Sequence, residues 1–232
     1  MTLPVICWFR QDLRLSDNSA YTAACAKGTP VLPIYILDDE NAGSWKMGRA
    51  SRAWLHHSLE KLNHSLNGKL AVFSGDAQSV LTHLCHATGA HKIYWNRCYE
   101  PWRIERDKTI KEIMAQKNIL CENFNGSLLW EPWTILKSDG TPYRVFTPYY
   151  RRGCLSAETP RTPPPPPPKN ANLLSTIKPT SVNDLKLLPA KLTWAEDMIQ
   201  FWEIGEKAAQ KRIDSFLLSG LKGYKDGRNF PA

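Results

Sequence analysis

The residues best placed to do chemistry lie in Val5–Asn18, which reads VICWFRQDLRLSDN. An apolar run stops at Phe9, and Arg10, Asp12, Arg14 and Asp17 follow at once. Charges spaced this way can grip a polar or anionic ligand, or close on one another as an ion-pair network. Asp17 has a structural use besides. A carboxylate just ahead of a helix accepts hydrogen bonds from free backbone amides, and the sequence predicts that Asp17 caps a helix. Two further polar residues stand at comparable junctions: Ser51 at the start of a helical segment, and Glu100 just past a strand-like run. No GxGxxG is present, so a dinucleotide pyrophosphate on a glycine turn is not indicated. His83, Cys85 and His86 lie close together, but on a helix only the two histidines share a face. With no further ligand pair in reach, no metal site is expected.

The elements that position these residues follow from periodicity. Apolar runs at 5–9, 31–37, 70–75, 92–96 and 119–126 alternate with helical stretches at 19–26, 51–65, 77–87 and 102–116. Trp54, Leu55, Leu59 and Leu62 share one face at helical spacing. Continuous apolar strands alternating with helices predict an α/β fold: a Rossmann-like, doubly wound, five-stranded parallel sheet. Arg10 to Asp17 then form the loop at the carboxyl end of the first strand, where open α/β sheets bind ligands. Arg10, Ser51 and Glu100 are expected to converge at that edge.

After Gly126 the pattern changes to aromatic- and proline-rich sequence with turn signals. Six consecutive prolines, 163–168, cannot join a helix or a central strand and favour extended polyproline II. They are read as part of a linker. Helical spacing resumes from Thr193, where Ala209, Ile213, Phe216, Leu217, Gly220 and Tyr224 form one stripe opposite Lys207, Lys211, Asp214 and Lys222. A stripe so apolar is expected to be buried, and the chain reads as cut off at the start of a second domain.

Composition narrows the class. No run approaches the ~20 apolar residues of a membrane span, and Arg10, Asp12 and Arg14 interrupt any signal-peptide core, so a cytoplasmic location is expected. Six scattered cysteines without CxxC argue for free thiols. The net charge of +8 suits an acidic partner such as nucleic acid.

Several stretches together carry a resemblance: WFRQDLRLSDN (8–18), LPIYILD (32–38), GRASRAWLHHSLEKL (48–62), YWNRCYEPWRIERD (94–107), GSLLWEPW (126–133), PYRVFTPYYR (142–151), and a C-terminal GEKAAQKRIDSFL and GYKDGRNFPA. In order and spacing the chain resembles the N-terminal half of a class I DNA photolyase, in the photolyase/cryptochrome family. The resemblance implies an antenna domain at 1–133, an interdomain linker at 134–193, and the start of a helical FAD-binding domain at 194–232. It implies a light-driven, FAD-dependent enzyme that splits cyclobutane pyrimidine dimers in damaged DNA and is a monomer when complete. Tyr224 matches a tyrosine at the FAD diphosphate, and Arg228 an arginine associated with DNA contact. Arg10, Ser51 and Glu100 would face an antenna chromophore, a pterin, deazaflavin or flavin. No catalytic residue falls within this stretch, so the chain alone is not expected to repair DNA.

The sequence departs from the family at two places. Trp102 and Arg103 stand where pterin-binding members carry an Asn-Glu pair, and Cys98 where deazaflavin-binding members carry an acidic residue. The chromophore type stays open among the three. Two other readings compete with repair: a cryptochrome-type blue-light sensor, and a stand-alone chromophore-binding α/β module.

Overall fold

The computed structural model describes residues 2–168, 170–175, 181–188 and 194–230. Strands β1 (Val5–Phe9) and β2 (Val31–Leu37) are buried at every position. That is the environment their unbroken apolar runs require, since a strand covered on both faces has no polar side to present. With β3 (Ala71–Ser74), β4 (Lys92–Asn96) and β5 (Leu120–Phe124) they form one sheet in the order β3-β2-β1-β4-β5. Every pairing is parallel, with Val5 opposite both Val31 and Lys92. The five-stranded parallel sheet expected from the sequence is present. Its strand order reverses between β1 and β4, which opens a crevice at their carboxyl ends.

Side chains alternate across the sheet. Val5, Cys7 and Phe9 pack with Tyr21 of α1 (Ser19–Ala24) and with Leu55, Leu59 and Leu62 of α3 (Arg49–Ser65). Ile6 and Trp8 face the other way, onto Leu81 and Leu84 of α4 (Ala77–Thr88) and Ile110 and Met114 of α5 (Pro101–Gln116). A four-residue helix, α2 (Asp39–Ala42), follows β2.

Two helix starts differ from expectation. Asn18, not Asp17, caps α1: its side-chain oxygen accepts from the Tyr21 amide at 3.0 Å. Asp17 sits at φ 45°, which turns its carboxylate out of capping position and toward Arg14 and Arg161. Helix α3 begins at Arg49 on a Gly48 N-cap, so Ser51 lies within its first turn.

Beyond β5 the chain carries little regular structure. The short α6 (Phe146–Pro148) runs into a π-helical turn at Tyr149–Gly153, and the six prolines form neither helix nor strand. The connection returns along β2, where the Val31 amide donates to the Asn172 carbonyl and the Leu174 amide to the Val31 carbonyl, both at 2.8 Å. Val182, Leu185 and Leu187 then join the core beside α3. Helices α7 (Trp194–Ile199), α8 (Glu206–Ser215) and α9 (Tyr224–Gly227) complete the described chain. The predicted helical stripe is broken by a π turn at Phe216–Gly220, and it is not buried. Ile213, Phe216, Leu217 and Tyr224 are 40–56% exposed. Among the described residues no helix is long and apolar enough to cross a membrane.

Candidate functional site at the carboxyl edge of the sheet

Three strands end in a buried polar residue: β1 runs into Arg10, β2 into Asp38, and β4 closes on Asn96. Burying such groups is costly unless each is paired, and here they pair with one another. Arg10 donates to Asp107 of α5 at 2.5 Å and to the Asn96 carbonyl, while its own amide donates to Asp12 at 2.9 Å. Asp12 accepts from the Asn96 and Asn18 side-chain amides at 2.5 and 3.1 Å. Arg106 reaches Asp38 at 3.2 Å and Asp107 at 2.8 Å. Its guanidinium also lies against the rings of Trp8 (4.8 Å) and Trp102 (5.1 Å). Two guanidiniums thus sit among three carboxylates, Asp12, Asp38 and Asp107.

The loop is fastened from outside as well. Arg14 donates to the Gly126 carbonyl at 2.7 Å. Gly126 has no room for a side chain, because a Cβ there would come within 2.5 Å of Asn96 Cγ. Gln11 donates to Glu100 at 2.8 Å. Burial by itself would raise the Glu100 pKa, but its own backbone amide, Arg103 and Gln11 outweigh that and hold it below the usual carboxylate range. From the far side, the Glu206 carboxylate at the start of α8 accepts from the Leu15 and Ser16 amides, both at 2.8 Å. Gly205 allows this approach at φ 104°, where a Cβ would lie 2.9 Å from Lys61 Cβ.

Two spaces have Arg10 in their walls. One is a slot of about 50 Å³ above β1 and β2, lined by Trp8, Tyr35, Asp38, Trp45, Trp102 and Arg106. That is far below the ~300–1,000 Å³ of ordinary small-molecule sites, because Arg106 and Trp102 fill the crevice. The other is a hollow of about 640 Å³ between the start of α3 and α8, with Arg10, Met47, Ser51, Trp54, Glu206 and Ile213 in its wall. Its size is that of a real ligand site.

The structure brings Arg10 and Ser51 together on the larger hollow. Glu100 joins them at one remove, through Gln11, which lines the same space. Tyr224 and Arg228 stand side by side elsewhere, with the guanidinium 5.7 Å from the ring centroid, and Tyr224 packs on Phe216. Sequence reading missed Asp38, Asn96, Arg106 and Asp107. The signal was there in part: each of three apolar strands meets a polar residue at its carboxyl end. That Arg106 and Asp107 turn back over β1 depends on how α5 lies on the sheet, which local sequence does not state.

The stretches that resemble the photolyases contact one another. Arg97 pairs with Glu131, and Tyr99 donates to the same carboxylate at 2.8 Å. Burial first, and then Glu131, push the Tyr99 hydroxyl up to about 12. A family model, DNA photolyase, matches residues 5–169. The chain belongs to the DNA photolyase family. It is 42% identical over its whole length to the deoxyribodipyrimidine photo-lyase of Agrobacterium fabrum, and covers 48% of that protein. Cryptochrome-2 of Arabidopsis thaliana is 37% identical over 71% of this chain, which covers 28% of that protein. In fold, the chain superposes on a crystal structure of a bacterial class III photolyase from Agrobacterium tumefaciens with a TM-score of 0.91 and 40% identity, covering all of this chain and 48% of that one. The solved photolyase is of class III, whereas the motifs pointed to class I. The chain spans about half the length of these photolyases.

Proposed function

We propose that this chain is the antenna-domain portion of a light-driven, FAD-dependent deoxyribodipyrimidine photolyase acting on cyclobutane pyrimidine dimers in DNA. The observation that carries this reading is the end-to-end match to photolyases at 40–42% identity, in sequence and in fold. Residues 1–133 are the antenna domain, 134–193 the linker, and 194–232 the start of the helical FAD domain. The fork from Glu206 to Leu15 and Ser16 supports that division, since it holds the first long helix after the linker onto the loop that follows β1.

The antenna chromophore binds in the hollow between α3 and α8. Volume supports this choice over the strand crevice, at about 640 against about 50 Å³. The residues suit an aromatic ligand with polar substituents: Trp54, Leu55, Met47 and Ile213 offer apolar surface, and Ser51 and Gln210 offer hydrogen bonds. Arg10 lines the same wall, with its guanidinium held by Asp107 and the Asn96 carbonyl. Pterin, deazaflavin and flavin all match that description. The group would supply absorbance at wavelengths protein does not reach. Tyr224 contacts FAD and Arg228 the DNA; both are exposed, Tyr224 at the start of α9 and Arg228 at its C-cap, and the +8 net charge favours a polyanionic partner.

The test is repair. A complete protein carrying this chain, loaded with FAD, will restore dimer-containing DNA under blue light and leave it unchanged in the dark. Light-driven flavin reduction without repair would instead favour the cryptochrome reading, for which the identity to cryptochrome-2 speaks.

A further inference from the structure

Helix α3 carries a cluster that neither the sheet edge nor the hollow uses. His56, His57 and Glu60 occupy positions i, i+1 and i+4. On a helical wheel Glu60 falls between the two histidines, one turn farther on, so it neighbours both. The geometry bears this out. Glu60 Oε1 lies 3.4 Å from His56 Nε2, and Glu60 Oε2 lies 3.1 Å from His57 Nδ1. One donor atom from each of the three residues can be chosen so that all lie within 4.8 Å of one another.

We infer that His56, His57 and Glu60 form a binding site for a divalent cation of the zinc class. Ligands of a tetrahedral centre with bonds of ~2.0–2.1 Å stand about 3.3 Å apart. Glu60 Oε1 and Oε2 stand at about that separation from His56 Nε2 and His57 Nδ1 respectively, and turning the exposed Glu60 carboxylate and the half-buried His57 ring brings one donor of each onto a common centre. Two imidazoles and one carboxylate are a borderline set that suits Zn²⁺, Ni²⁺ or Cu²⁺, and not the oxygen cages of Ca²⁺ or Mg²⁺.

The surroundings favour a ligand over a plain ion pair. His56 is 4% exposed, so its ring is held with Nε2 toward Glu60 rather than turned to solvent. His57 lines a hollow of about 620 Å³, with His64 and Glu203 also in its wall. Glu60 faces a second hollow lined by Ser181, Val182 and Asn183.

The site is independent of any chromophore and can be tested directly. Protein stripped with a chelator is titrated with ZnCl₂ by calorimetry and with CoCl₂ by absorption, alongside His57→Ala and Glu60→Gln. Both substitutions alter partly exposed side chains, so folding should survive. Unchanged circular dichroism verifies that before titration. The expected result is one equivalent bound, a tetrahedral Co²⁺ visible spectrum, and affinity weakened about tenfold or more in each variant. Zinc should raise the melting temperature of the unaltered protein alone. Absence of binding, or binding that both variants retain, would overturn the inference; the latter would assign the metal to other residues.

Discussion

The Arg10 guanidinium, directly after β1, meets the Asp107 carboxylate in the second turn of α5 at 2.5 Å, with the two side chains 4% and 9% exposed. The pair joins the central strand to a helix on the opposite side of the strand-order reversal. Asp107 also receives Arg106, so one carboxylate balances two cations. Replacing it leaves both buried and underpaired. Asp107→Ala is expected to destabilise the protein by about 3–5 kcal/mol, the usual penalty for stripping one partner from a buried ion pair. Urea unfolding measures it, and a loss below about 1 kcal/mol would reduce the network to the rank of a surface bridge.

The contact between Glu206 and the β1–α1 loop is charge-assisted but partly exposed. Glu206→Ala should remove about 1–3 kcal/mol. The sharper readout is hydrogen exchange, where the Leu15 and Ser16 amides should lose protection ahead of the core strands. Equal protection in the variant would mean that the loop holds itself.

Acid sensitivity has a defined sign. Asp76 caps α4; burial would raise its pKa, but hydrogen bonds from Asn41 and Ser79 outweigh that and lower it, as happens for Glu100 at α5. A depressed folded pKa gives stability that is present above the unfolded value and lost as pH falls through the folded one. These two groups therefore contribute fully from pH 7 down to about 5, and their contribution drains away below about pH 4. Asp76→Asn should flatten part of that acid limb in pH-dependent melting curves. An unaltered limb would remove Asp76 from the account.

Ser51 stands at the lip of the larger hollow, exposed on the first turn of α3. Ser51→Trp should fill the hollow without disturbing the sheet, so the melting temperature stays within a few degrees while chromophore retention falls at least about tenfold, as expected when a ligand's volume is taken by a side chain. Full retention would move the chromophore elsewhere.

The sheet was legible because its signal is local. VICWF and VLPIYIL are too apolar to face water on either side, and regular alternation with helices leaves few topologies. The site was legible only to its first residue. Arg10 announces itself by following Phe9, but its partner Asp107 is 97 residues away. Asp17 misled because Asp and Asn cap equally well, and the αL backbone at residue 17 passes the role to Asn18. The stripe from Ala209 to Tyr224 was read correctly as apolar. Its helical spacing calls for a cover that the sequence of this chain does not offer, and in the structure it lies largely open.

The central claim is that this chain carries a light-harvesting site. The most direct measurement is the absorption spectrum of the purified protein, after incubation with folate, deazaflavin and flavin in turn, before and after denaturation. The account predicts a near-ultraviolet or blue band that survives gel filtration, is absent in Ser51→Trp, and is released on unfolding. Protein absorption alone with all three chromophores would contradict it, and would leave the Arg10 network as a purely structural clasp.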